Sequence, residues 1–289
     1  MKIYQFKHLT RTCIIDENQK EVKEPHGESE PLPVNLLSKL LSQFKNENLF
    51  SEFHKQGIAQ AIQSIKHATS RDQLIIQLSS HLEELDKALN TLSKRFREWF
   101  AYYSPEQEHL IRNHHELIQS FLTQPKDTYL QTHHITNSMG IDLLPQDLVT
   151  IHSFATLLDT MYAYQEKQDK SLERIMQEIV PNITALTGHR IGAKLISHSG
   201  SLRRLALLPA STIQLLGAEK ALFRHIRTGA RSPKHGLIIQ HPLVANAKQK
   251  GRVARILADK IAIAARVDYF QGKYCGDQLR KEVEAKVRE

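Results

Sequence analysis

The chain has 289 residues, 40% hydrophobic and 24% charged, enough for one large domain or two to three small ones without disulfide or metal staples. Its two cysteines, Cys13 and Cys275, lie far apart and form no CxxC pair, which excludes a disulfide framework and a cysteine-based zinc site and fits a reducing compartment. The net charge of +8 is unevenly held, since residues 182–289 carry 20 Lys and Arg against 7 Asp and Glu, whereas residues 1–181 carry 19 against 24; a surplus confined to one region calls for a polyanionic partner.

In chain order, Ile3, Tyr4 and Phe6, then Thr12 to Ile15, suggest a small hairpin or sheet edge. KEVKEPHGESEPLP, residues 20–33, reads as a loop. Val34, Leu37, Leu40, Leu41 and Phe44 suggest one short helix, and Ile58, Ile62 and Ile65 another. From about Arg71 to Tyr103 the pattern is cleaner. Leu78, Leu82, Leu85, Leu89, Leu92, Phe96, Trp99 and Tyr103 alternate four and three residues apart, the seam of a long helix. Ser104, Pro105 and Gln107 then offer an N-cap, a first-turn proline and a capping-box partner for a second helix carrying Leu110, His114, Leu117 and Phe121.

After interruptions near Pro125 and through Ser138 to Pro145, a third long helix is expected over about Gln146 to Ile179. Its seam runs Leu148, Ile151, Ala155, Leu158, Tyr162, Gln165, Asp169, Leu172, Met176, Ile179. Such a helix reaches on the order of 50 Å at ~1.5 Å per residue, so it should project as an antiparallel arm with the helix starting at Pro105. Periodicity alone leaves open whether this seam contacts a second chain or is satisfied within the hairpin. From Pro181 the pattern changes to short helices broken by Gly188, Gly192, Gly200 and Pro209, ending with helices over about Lys248 to Val267 and Asp277 to Val287.

The strongest chemical signal is GAEKALFRHIRTGARSPKHGLIIQHP, Gly217 to Pro242. Gly217 and Gly229 bracket a helix with Ala218, Ala221, Leu222 and Ile226 on an apolar face, and Lys220, Arg224 and Arg227 at i, i+4 and i+7 on the other. Arg231 and Lys234 extend this stripe, and Lys248, Arg252 and Arg255 form a second. Between Arg190 and Arg255 there are 13 basic residues and a single acid, Glu219, unlike ordinary solubilising charge. Cations displacing counterions on phosphates give strong, salt-dependent attraction, and irregular RNA suits a rigid helical face better than DNA does.

Other motifs carry no chemistry. GHRIGAK, 188–194, is one residue short of a P-loop and has Leu195 where a hydroxyl is needed, so close helix packing at glycine is expected. SHSGS, 197–201, lacks GxSxG and suits a helix cap. The pairs His114-His115 and His133-His134 point about 100° apart on a helix and cannot easily close on one ion. No acid/base constellation stands out, and no catalytic residue, cofactor or metal is expected.

The segments GAEKALFR and PKHGLIIQHP, separated by a basic linker, resemble the Nop domain of box C/D guide-RNA particle core proteins and of a spliceosomal tri-snRNP protein. The resemblance runs from Asn182 to about Lys286, and REWFAYYSPE, 97–106, is similar to the family's entry into its coiled-coil arm. It implies a mainly α fold: a small N-terminal α/β module over 1–70 that would hold the methyltransferase fibrillarin, a long helix and coiled-coil arm over 71–181, and an all-α Nop domain over 182–289.

The implied function is that of a non-catalytic scaffold for RNA 2'-O-methylation. It would bind kink-turn guide RNA together with a ribosomal-protein-like kink-turn binder, and dimerise through the arm at Leu148, Ile151, Ala155, Leu158 and Tyr162. The RNA or particle contacts implied are Gly217, Ala218, Glu219, Lys220, Arg224, Arg227, Arg231, Lys234, His235, Gln240, His241, Lys248, Arg252 and Arg255. An archaeal-type source and a cytoplasmic, soluble protein without membrane segments are expected. The alternatives are a Nop-domain protein of another, spliceosome-like particle without methyltransferase, and an RNA-modifying or nucleotide-dependent enzyme acting alone.

Overall fold

The computed structural model describes residues 3–7, 12–16, 30–31, 47–68 and 70–288, and these are mostly helical. The chain divides into two compact units, Met1–Ser70 and Arg71–Glu289. In the first, β1 (Ile3–Lys7) pairs antiparallel with β2 (Thr12–Asp16), with Ile3 opposite Asp16, and parallel with β3 (Glu30–Pro31). The two residues of β3 fall in the stretch expected to be loop. Helix α1 (Glu47–Ala68) follows; the short helix expected over Val34 to Phe44 lies outside the described residues.

The second unit is built on two long helices, α2 (Asp72–Tyr103) and α6 (Pro145–Ile179). They run antiparallel: Arg71 pairs with Glu178 at 2.6 Å, Gln165 donates to Asp86, and the Ser93 and Tyr162 hydroxyls bond at 2.9 Å. The partner of α6 is therefore chiefly α2, not the helix that begins at Pro105. That helix is also broken, into α3 (Pro105–Leu110) and α4 (His114–Thr123), with α5 (Lys126–Thr132) after it. The break has a cause in Arg97, whose guanidinium donates to Glu108 Oε1 (2.7 Å) and to the carbonyls of Glu108 (2.6 Å), Ile111 (2.8 Å) and Arg112 (3.0 Å). It thereby satisfies carbonyls that a continuous helix would have used. Asn113 Oδ1 then caps α4. Ser104 makes no side-chain cap, and Gln107 donates to Ser120 instead of closing a capping box.

The expected seam of α2 also shifts. Phe96 and Phe100 are fully buried, whereas Trp99 is 42% exposed, because 3.6 residues per turn carries the buried face away from a strict heptad. Phe96, Phe100, Phe121 and Phe154 form the aromatic centre of a distal core, which also takes in Ile151, Ala155 and Leu158 of α6. A second, larger core gathers Ile75, Leu82, Leu172 and Met176 with the C-terminal helices. The polar seam residues Gln165 and Asp169 stand between these cores, where Arg190 reaches Asp169 (2.6 Å) and Asp86 (3.5 Å) and His189 reaches Asp169 (3.1 Å).

The C-terminal helices are α7 (Pro181–Thr187), α8 (His189–Ser199), α9 (Leu202–Leu207), α10 (Ala210–Leu215), α11 (Glu219–Thr228), the 3-10 turn Leu237–Gln240, α12 (Pro242–Ala245), α13 (Lys250–Tyr269) and α14 (Gly276–Arg288). Helix α13 is the axis: it buries Val253, Leu257 and Ile261 among the alanines at 254, 258, 262, 264 and 265. Such small side chains let neighbouring helices approach closely. Gly192 works the same way in α8, since a Cβ there would meet Met176 Cε at 2.8 Å and Thr187 Oγ1 at 2.9 Å. Ser201 caps α9 by accepting from Arg204 N at 3.1 Å. Buried carboxylates fix helix starts: Asp72 accepts from Leu202 N (2.7 Å), and Asp268 accepts from Asn182 N (3.1 Å), Asn182 Nδ2 (2.6 Å) and Ile183 N (2.9 Å).

Candidate nucleic-acid interface

Two features of the C-terminal helices carry the basic surplus. The first is a groove of about 1200 Å³ between the 231–235 loop, α10 and the start of α13. Arg231, Lys234, Lys248, Lys250, Arg252 and Arg255 line it with His235, and no carboxylate does. Its wall is held by backbone bonds, Gly236 N to Gln214 O (2.8 Å) and Leu237 N to Leu216 O (2.7 Å), and by Gln214 Nε2 donating to Lys234 O at 2.6 Å. Gly236 is required there, because a Cβ would lie 1.9 Å from the Leu216 carbonyl oxygen.

The second feature is α11, which buries none of its residues. Ala218 and Leu222 are half-buried, but Ala221 is exposed and Ile226 is 71% exposed, so the expected apolar face does not enter the core. Phe223, 68% exposed, stands on the same helix. Ten residues are too few for a stable isolated helix, so its position depends on its ends. Gly217 precedes it with φ +84°, pressed where a Cβ would meet Leu237 Cγ at 2.5 Å. Gly229 closes it with φ +68°, its N–H on His225 O at 2.9 Å, and the His225 ring donates to Ala230 O. The helix proper starts at Glu219, not at Gly217. The Glu219 carboxylate accepts from Gly217 N at 2.7 Å; burial pushes this carboxyl upward, but bonds from the Gly217 and Glu219 amides and the nearby His198 outweigh it and hold it below the ordinary range.

Placement divides the residues singled out from the sequence. Arg231, Lys234, His235, Lys248, Arg252 and Arg255 converge on the groove. Lys248 does so from the turn before α13, not as the first member of a helical stripe. Gly217, Ala218, Glu219, Lys220, Arg224 and Arg227 belong to α11 and its lead-in, with Lys220, Arg224 and Arg227 exposed. Gln240 is exposed on the 3-10 turn. His241 is elsewhere: it lines a small pocket with Leu186, Leu257 and Arg280, and its Nδ1 accepts from Leu243 N at 3.3 Å to cap α12. Burial lowers its pKa, against a bond to the Leu186 backbone, with Arg280 adding to the lowering. Lys250, Gln214 and Gln249 also line the groove; only the basic character of Lys250 gave any hint of this, through its neighbours Lys248 and Arg252.

In the arm, Ile151, Ala155 and Leu158 are buried against α2 and α4 of the same chain, and Leu148 and Tyr162 are half-buried. Tyr162 stacks on His115 with centroids 4.3 Å apart, and His133 stacks on Tyr129 at 4.0 Å.

Among the described residues, cations with and without a carboxylate partner occur both in the C-terminal helices and in the arm, where Lys87, Lys94 and Lys167 have none. Arg71, Arg97, Arg190, Lys194 and Lys260 each meet a carboxylate. Among the described residues, none of Lys220, Arg224, Arg227, Arg231, Lys234, Lys248, Lys250, Arg252 and Arg255 does. These nine cations lie on the groove and on α11, without a carboxylate at ion-pair distance.

The Nop pattern, described as "snoRNA binding domain, fibrillarin", matches residues 81–289. An uncharacterized NOP5 family protein of Methanocaldococcus jannaschii is 40% identical over 289 residues, covering 92% of this chain and 69% of that protein. Nucleolar protein 56 of Homo sapiens is 37% identical over 241 residues, covering 75% of this chain and 41% of the relative; that of Dictyostelium discoideum is 39% identical over 258 residues, covering 77% and 48%. The chain thus spans less than half the length of these nucleolar relatives. Among solved structures, a chain of a fibrillarin/Nop5p complex is similar in fold at TM-score 0.50 and 22% identity, covering 98% of each chain.

Proposed function

This chain belongs to the Nop family, and from that membership we propose that it is a non-catalytic scaffold of a box C/D guide-RNA particle. It binds a kink-turn RNA together with a kink-turn-binding protein. The carrying observation is the pairing, on one region, of nine cations without carboxylate partners and a tethered helix that leaves Phe223 and Ile226 exposed. The cations take phosphates. The apolar pair takes the protein already on the RNA, so neither ligand alone uses the whole surface.

Within the same proposal, fibrillarin is held by the unit spanning residues 1–70, and methyl transfer is that partner's chemistry. The homodimer contact uses exposed arm residues such as Val149 and Leu157, 67% and 54% exposed, since Ile151, Ala155 and Leu158 are already filled by the chain itself. No helix among the described residues is long and apolar enough to cross a membrane; a cytoplasmic location is part of the proposal.

The test is a titration of the chain onto a box C/D kink-turn RNA, with and without the kink-turn-binding protein, at two salt concentrations. Tight binding is expected only with the protein present. Lys220→Glu with Arg224→Glu should weaken it about 100-fold, on the order of 1.4 kcal/mol per contact, while secondary structure is unchanged. Assembly retained by the double variant refutes the assignment of α11.

A further inference from the structure

A second groove, of about 440 Å³, lies beside α10 and shares Ser211, Gln214 and Arg255 with the basic groove. Those three shared residues form a saddle between the two grooves. Their chemistry differs. The first is dense in cations and lined by no carboxylate. The second has an apolar floor from Ala210 and Ile256, with Arg255 at its entrance and Lys286 also on its lining. Its other cation, Lys260, is neutralised by Glu282, and Asp259 is its one lining carboxylate.

The saddle carries an open acceptor. Gln214 Nε2 donates to Lys234 O at 2.6 Å, and a carbonyl can only accept, so the amide orientation is fixed with its nitrogen toward the loop. Gln214 Oε1 makes no bond among the described residues and is not sealed from solvent. A track with phosphate-binding cations at its mouth, an apolar floor beyond, and acceptors at Gln214 and Asp259 is matched by one ligand chemistry. Phosphates meet Arg255 and Lys286, base faces meet Ala210 and Ile256, and exocyclic amino groups meet the acceptors. A duplex is too stiff and wide to follow α10 from one groove to the other, whereas a single strand can.

We propose that the second groove is a single-stranded RNA site that takes the strand leaving the basic groove and favours bases bearing an exocyclic amino group. It rests on the reading of the basic groove as an RNA surface. From Arg255 to Lys260, α13 advances about 7.5 Å at ~1.5 Å per residue, room for about two stacked nucleotides at ~3.4 Å each.

The experiment uses the full chain with a kink-turn RNA and its binding protein, the RNA ending flush at its stem or extended by four adenylates or four uridylates. Fluorescence anisotropy gives the dissociation constants. The adenylate tail is expected to tighten binding five- to tenfold over the flush RNA, and the uridylate tail by no more than about twofold. Lys286→Glu removes the gain and leaves the flush RNA unaffected; Gln214→Leu brings the two tails together. A 4-thiouridine in the tail crosslinks to the 210–214 or 256–260 segment. Flush RNA bound with no gain from either tail, or a gain that survives Lys286→Glu, overturns the second site alone. Failure of the flush RNA to bind overturns the basic groove's reading and this site with it.

Discussion

Gly236→Ala is the sharpest probe of how the groove is built. A Cβ at this position lies 1.9 Å from the Leu216 carbonyl oxygen and 2.8 Å from the Leu215 carbonyl carbon. Both obstacles are backbone, so no side-chain rotation relieves the contact. The loop must move away from α10 by more than an ångström, and three bonds stretch beyond useful length: Gly236 N to Gln214 O, Leu237 N to Leu216 O, and Gln214 Nε2 to Lys234 O. At about 1 kcal/mol net for each, the loss is about 3 kcal/mol, which for a unit of this size lowers the melting temperature by roughly 5–10 °C.

Thermal unfolding followed by circular dichroism measures this directly. Because Lys234 and His235 stand on the displaced loop, RNA affinity should fall in the same variant even at a temperature where it is fully folded. Gly57→Ala is the control: that glycine lies in α1 with nothing within 4 Å of an added Cβ, and alanine there should stabilise by about 0.5–1 kcal/mol. A Gly236→Ala protein melting within 1 °C of the parent, with undiminished RNA binding, would falsify the account of the groove wall.

Two further outcomes follow from buried polar groups. His241 has a pKa below its ordinary 6.5, chiefly through burial, so the folded state prefers the neutral ring; its contribution is present above pH 6.5 and is lost as pH falls through the folded value. His241→Asn keeps a capping acceptor for Leu243 N and should lose less stability than the parent between pH 7.5 and 5 in urea titrations, with RNA affinity unchanged. Arg97→Lys cannot reproduce four bonds from one planar group; it should cost about 2–3 kcal/mol by thermal unfolding while leaving RNA binding intact.

Periodicity exposed the two long helices because each presents one face to a core for many turns, and Leu82, Leu89, Leu158, Leu172 and Met176 are buried as the seam requires. What it could not supply was the partner of each face. Trp99 and Phe100 differ by one position, and only the approach of α4 and α6 decides which of them is buried. The break after Leu110 depends on Arg97, 14 residues upstream of Ile111, reaching carbonyls that no local propensity marks. Lys248, Arg252 and Arg255 were legible as cations, yet their convergence with Arg231 and Lys234 depends on the contact of Lys234 with Gly251, where a Cβ would sit 3.2 Å from the Lys234 side chain. For His241 the family motif marked its place but not its local role, which is to cap α12 through Nδ1.

Positive charge alone does not distinguish a binding side chain from a stabilising one, since Arg190 and Lys194 belong to the same basic region as the groove cations. The difference lies in what each cation has nearby. Around Asp86 and Asp169 the cations are locked to acids across helices, and removing one would leave a partly buried carboxylate unpaired. No carboxylate lines the groove, and Glu219 is the one acid of α11, so the cations there repel one another with little local compensation. Helix α11 sharpens the point. Its geometry is set by Gly217, Gly229 and His225 at its ends and not by burial of its faces, so it gains nothing within the monomer from Phe223 or Ile226. In the proposed complex those side chains would be covered by the partner protein, with the helix held in place before it binds.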